Sequence, residues 1–139
     1  MTVAAAFLAS ILFGVIFDVP RKALAAAGVA GTVAWVGADV LQRLGMNALG
    51  AVFLATLVSS CYGEMMARFT RNPASIFVVP AIVPLVPGAG AYFTMFHFVK
   101  GEFTLGLAKG METLFMAGAI AAGVALVSLI FRFIKGRSK

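Results

Sequence analysis

The chain has 139 residues, 62% of them hydrophobic, with eleven Lys and Arg, five Asp and Glu, a single His and a net charge of +6. Soluble domains are about half apolar and about a quarter charged, so a chain with 12% charged residues is excluded from that class and reads as an integral membrane protein. The basic residues fall in short clusters between and after apolar segments, which reports membrane topology, and no nucleic-acid partner is expected.

Five apolar segments follow one another. The first covers residues 3–17 and stops at Asp18-Val19-Pro20-Arg21-Lys22. No Lys or Arg precedes it, so it reads as a retained, short first helix rather than a signal peptide. The second covers 23–41, where Ala23, Ala27 and Gly31, and again Ala34 and Ala38, recur every four residues and predict close helix packing in lipid. The third covers 47–67 and is closed by Arg68-Phe69-Thr70-Arg71-Asn72-Pro73. Glu64 precedes Arg68 by one turn, which predicts an i,i+4 ion pair, with a proton-coupling carboxylate as the alternative. The lone Cys61 leaves no disulfide framework and no cysteine metal cluster.

The fourth segment, 74–99, is longer than the roughly 20 residues a straight crossing requires. The fifth covers 105–134 and ends in a basic turn; it carries the small-residue pairs Gly106/Gly110 and Gly118/Ala122. No linker divides the chain, so residues 1–139 read as one transmembrane domain. If all five segments cross with the N-terminus outside, Arg21, Lys22, Arg68, Arg71, Arg132, Lys135, Arg137 and Lys139 face the cytoplasm, leaving only Arg43, Lys100 and Lys109 outside. The expected fold is therefore an all-α bundle of about five transmembrane helices, N-out and C-in.

The fourth segment is interrupted by Val83-Pro84-Leu85-Val86-Pro87-Gly88-Ala89-Gly90-Ala91-Tyr92. Pro84 and Pro87 donate no backbone hydrogen bond, and Gly88 and Gly90 weaken any helix, so a break near residues 84–90 is expected. Irregular backbone at membrane depth is tolerated where protein buries it or a wet cavity lines it, and such breaks mark transporter substrate sites. Freed carbonyls suit an ammonium, while the N–H groups of Gly88, Ala89 and Gly90 at a restarting helix suit a carboxylate. Pro84, Pro87, Gly88, Gly90, Tyr92 and Thr94 are thus the candidate substrate-binding residues. A proline-kinked helix that serves packing alone fits the same pattern. His97, among Phe93, Phe96 and Phe98, is a second proton-coupling candidate, against an interfacial histidine bonded to a neighbour. No catalytic constellation, metal-ligand set or nucleotide loop is present in the sequence, so neither an enzyme nor a cofactor is expected.

The run Phe17-Asp18-Val19-Pro20-Arg21-Lys22-Ala23-Leu24, then Arg71-Asn72-Pro73, then Val79-Pro80-Ala81-Ile82-Val83-Pro84-Leu85-Val86-Pro87-Gly88 with Ala91-Tyr92, resembles the threonine/serine exporter family. It resembles in particular the small membrane subunit of the split, two-chain form, whose relatives include a dicarboxylate (succinate) exporter. The resemblance implies proton-coupled export of threonine and serine, or of C4-dicarboxylates, across the bacterial inner membrane. It also implies a larger membrane subunit as partner, with self-association of this chain left open. An accessory or assembly subunit and a small holin-like channel are the competing expectations.

Overall fold

The computed structural model describes residues 2–136, with side chains through residue 134. Among the described residues all regular structure is helical: α1 (Val3–Ile16), α2 (Arg21–Arg43), α3 (Ala48–Thr70), α4 (Ser75–Ile82), a 3-10 turn (Val83–Leu85), α5 (Gly88–Val99) and α6 (Phe103–Gly136). By length and composition α2, α3 and α6 can each cross a membrane, and α4 with α5 adds a fourth crossing if the bent pair is one span. At 14 residues α1 is about 21 Å long, against a hydrocarbon core of about 30 Å.

Helix ends follow local chemistry. Asn47 Oδ1 accepts from the Gly50 N–H at 2.8 Å and starts α3, and Thr2 Oγ1 accepts from the Ala5 N–H at the head of α1. Four helices close with the same paired bonds, in which two successive N–H groups turn back onto carbonyls of the last turn. At the end of α3, Arg71 N donates to Arg68 O at 3.4 Å and Asn72 N to Ala67 O at 3.0 Å. The pivot residue must be left-handed. Gly45 (φ 92°) and Gly101 (φ 77°) fill that role without strain, whereas Asp18 (φ 53°) and Arg71 (φ 55°) do so at a cost of about 1–2 kcal/mol each.

The core is made of small side chains. On α2, Ala23, Ala27, Gly28, Ala30, Gly31, Ala34 and Ala38 are all buried, forming a stripe along the helix that packs against α1, α3 and α4. A Cβ on Gly28 would lie 2.7 Å from the Phe7 ring, and one on Gly63 of α3 would lie 2.9 Å from Val78 of α4. In lipid there is no hydrophobic drive between helices, so such close approach is what holds them together. One core cluster joins Ala34, Ala38, Val52, Ala55, Leu85 and Ile120; a second joins Val19, Ala23, Ala67 and Phe77.

The second cluster brings the α1–α2 turn, the end of α3 and the start of α4 together, and Arg68 reaches the Phe131 carbonyl there. Arg21, Lys22, Arg68, Arg71 and Arg132 therefore share one end of the bundle. Arg137, Lys139 and the Lys135 side chain, which the charge count also assigns to that end, lie outside the described residues. α6 packs on α3 and on α5, and α5 has no buried residue, so the α5–α6 hairpin is held to the rest through α6.

Candidate functional site

Helices α4 and α5 meet at 49° across the proline-glycine run. Pro84 has no N–H to offer the Pro80 carbonyl, and Pro87 none for Val83. Val86 N donates to Val83 O instead, at 3.2 Å, and the Gly88 N–H turns back onto Val86 O at 2.8 Å. The Gly88 donor expected to open into the break is thus occupied. Ala89 and Gly90 keep N–H groups without a backbone partner among the described residues, and no side chain caps α5. The positive end of that helix remains available at the break.

The residues expected to bind substrate there divide into two faces. Gly90 and Thr94 lie against α6: a Cβ on Gly90 would collide with Thr113 Oγ1, and Thr94 Oγ1 donates to Gly90 O at 2.8 Å. Tyr92 points away, 63% exposed, its ring stacked on Phe96 at 6.1 Å. Pro84 and Pro87 are half-buried; Gly88 is exposed, with nothing within 4 Å of the Cβ it lacks. Beside the break lies an apolar groove of about 430 Å³, lined by Ile82, Val86 and Pro87 on one side and Ala117, Ile120 and Val124 on the other.

The two proton-coupling candidates are not brought together. His97 Nδ1 is hydrogen-bonded to Glu102 Oε2 at 2.6 Å, within the turn that joins α5 to α6. Glu64 sits at the far end of α6, where Ser128 Oγ donates to Glu64 Oε1 at 3.4 Å. From Gly106, which packs on Phe98 beside His97, to Ser128 is about 33 Å along α6. The expected Glu64–Arg68 ion pair is absent from the described ion pairs. Arg68 turns instead to α6, where its Nη2 donates to Phe131 O at 2.9 Å and its guanidinium lies over the Phe131 ring at 4.7 Å. A carbonyl and a ring face together outcompete one partly exposed carboxylate a turn away.

Beside Arg68 lies a polar cleft of about 670 Å³ where α3, the α3–α4 turn and α6 converge. Glu64, Arg68, Arg71, Asn72, Ser128 and Arg132 supply its polar lining. Apart from Glu64, sequence reasoning assigned these residues no site. The available signal was the four-residue spacing of Glu64 with Arg68 and of Ser128 with Arg132, which gives each helix one polar edge. Among the described residues no group of three His, Cys, Asp or Glu is placed to hold a metal ion.

Residues 2–130 match the family described as Threonine/Serine exporter, ThrE. The chain is also similar to an uncharacterized protein of Haemophilus influenzae, at 32% identity over 86% of this chain and 43% of that protein. It therefore spans less than half the length of the curated relative it matches. No solved structure matches this chain.

Proposed function

The chain belongs to the threonine/serine exporter family, and on that premise we propose that it is one membrane part of a heteromeric exporter of small carboxylate-bearing metabolites. Threonine and serine are its leading substrates and C4-dicarboxylates such as succinate the second class. The observation that carries this reading is the open break between α4 and α5. Among the described residues, two N–H groups of a helix N-terminus have no backbone partner beside Gly88. In a bilayer such groups require protein or a wet cavity beside them.

The chain by itself covers neither this break nor the neighbouring face of α6, where Ala117, Gly118, Ala121 and Ala122 are exposed. A second membrane body seated there would bury the break and complete a substrate site from Pro84, Pro87, Gly88, Gly90, Tyr92 and Thr94. That body is a larger subunit in our reading, and the relative's greater length is in keeping with it. Five crossings in a bacterial inner membrane, N-terminus outside, place the basic end of the bundle in the cytoplasm. His97 or Glu64 couples export to protons.

The test is efflux of labelled threonine, serine and succinate from preloaded cells that express this chain alone, the chain with a larger membrane subunit of the same family, or neither. Selective efflux only with both chains supports the reading. Unselective leakage from this chain alone replaces it with a channel.

A further inference from the structure

We propose that the cleft between α3 and α6, distinct from the break, is a docking site for the zwitterionic head of an α-amino acid. Glu64 receives the ammonium, and Arg71 and Arg132 receive the carboxylate. The inference rests on the amino-acid reading of the exporter and adds a second place where substrate is held.

Three observations carry it. First, Glu64 is a half-buried carboxylate in a cleft lined by three guanidiniums, yet no cation pairs with it among the described residues. Its one described side-chain partner is the Ser128 hydroxyl at 3.4 Å, a long bond that leaves most of its accepting capacity unused. Second, Arg68 is held away by the Phe131 carbonyl and ring, while Arg71 and Arg132 have no carboxylate in ion-pair reach among the described residues. Third, Arg71 occupies a left-handed position where glycine is the unstrained choice, so a guanidinium is held at the mouth of the cleft against backbone preference.

A simple anion would satisfy the guanidiniums and be repelled by Glu64. A simple cation would satisfy Glu64 and be repelled by the guanidiniums. A ligand bearing both charges a few ångströms apart satisfies all of them. Arginine binds a carboxylate through two parallel hydrogen bonds, which fixes its orientation. Ser128 and Asn72 add neutral hydrogen-bonding groups, and a cleft of about 670 Å³ has the dimensions of a small-molecule site.

The test is equilibrium binding of labelled L-serine to the full chain in phosphatidylcholine nanodiscs. The competitors are 3-hydroxypropanoate, which lacks the ammonium, and ethanolamine, which lacks the carboxylate. L-serine is expected to bind at least about tenfold more tightly than either. Glu64→Gln should weaken serine about tenfold and tighten 3-hydroxypropanoate, which the carboxylate no longer repels, an opposite pair of changes that misfolding would not produce. Arg132→Gln, at an exposed side chain, should weaken both acids.

Absence of serine binding, equal affinity for 3-hydroxypropanoate, or binding indifferent to both substitutions overturns the proposal. A phosphoethanolamine headgroup carries the same pair of charges, so the measurement is repeated in phosphatidylethanolamine discs. Undiminished serine affinity there supports a soluble amino acid, and competition by the lipid assigns the cleft to the headgroup and overturns it. Serine binding that survives Glu64→Gln and Arg132→Gln while efflux still needs the break would sink the cleft alone and leave the exporter reading standing.

Discussion

Ser128 on α6 donates its hydroxyl to Glu64 on α3 across 3.4 Å, a polar tie between residues 64 apart in sequence on two apolar helices. A bond of that length holds little energy. Ser128→Ala should cost less than about 1 kcal/mol of stability, read as a small change in Tm in detergent. A loss of several kcal/mol would mean that Glu64 depends on this hydroxyl alone for its solvation.

Gly88→Val separates the folding of this chain from transport. Nothing lies within 4 Å of the Cβ position, so membrane insertion and Tm should be unchanged while efflux falls to background. Efflux at the wild-type rate would remove the break from the substrate pathway. Reduced abundance of the second chain, with substrate selectivity intact, would make the break an assembly surface.

Two glycines on small-residue faces should respond oppositely to one added methyl group. At Gly31 a Cβ would overlap Ser10 Oγ and lie 2.7 Å from Ser10 Cβ, so Gly31→Ala forces α1 from α2 at a cost of about 1–3 kcal/mol. At Gly118 the space is open, and Gly118→Ala should raise the Tm of the isolated chain slightly, through about 0.5–1 kcal/mol of helix propensity. The Ser10 hydroxyl is buried with no partner among the described residues, so Ser10→Ala should be neutral or stabilising. Thermal unfolding of the three variants checks all of these outcomes, and equal losses at the two glycines would contradict the packing of α1 on α2.

Replacing the left-handed pivots by glycine should raise stability. Asp18→Gly and Arg71→Gly each remove a strained conformation worth about 1 kcal/mol. The two should then part company, because Arg71→Gly also deletes a guanidinium from the cleft and Asp18→Gly does not. Tm and L-serine affinity measured on the same samples show whether stability and binding trade against each other at Arg71.

His97 and Glu102 form a partly exposed pair within a tight turn, where such pairs contribute about 0–1 kcal/mol. His97→Asn should therefore keep Tm within a few degrees. If His97 carries protons, the variant loses efflux driven by an imposed proton gradient. Unchanged gradient-driven efflux would leave His97 as the residue that pins the α5–α6 turn.

Much of this protein was legible in its residue order. Apolar segments close to the length of a helical crossing pointed to an all-helical membrane architecture, because in lipid a backbone must satisfy its own hydrogen bonds and a helix does so within one segment. The four-residue recurrence of Ala23, Ala27 and Gly31, and of Ala34 and Ala38, named a face of α2 that is buried. Family membership was legible in the proline-glycine run with its flanking Arg71-Asn72-Pro73 and Phe17-Asp18-Val19-Pro20. These are local properties, set by periodicity and by residues that lack an N–H or a Cβ.

What tertiary structure alone decided is where side chains find partners. Local spacing paired Glu64 with Arg68, but the arrival of Phe131 on α6 drew Arg68 away and left Glu64 facing a cleft with Arg71, Ser128 and Arg132. The same packing set His97 and Glu64 at opposite ends of α6, and turned Thr94 toward that helix while Tyr92 points outward. The helix period states which residues share a face, but the register between helices depends on how small residues let two particular surfaces approach. That register, held by contacts such as Gly90 on Thr113 and Gly123 on Thr56, is written in no single segment.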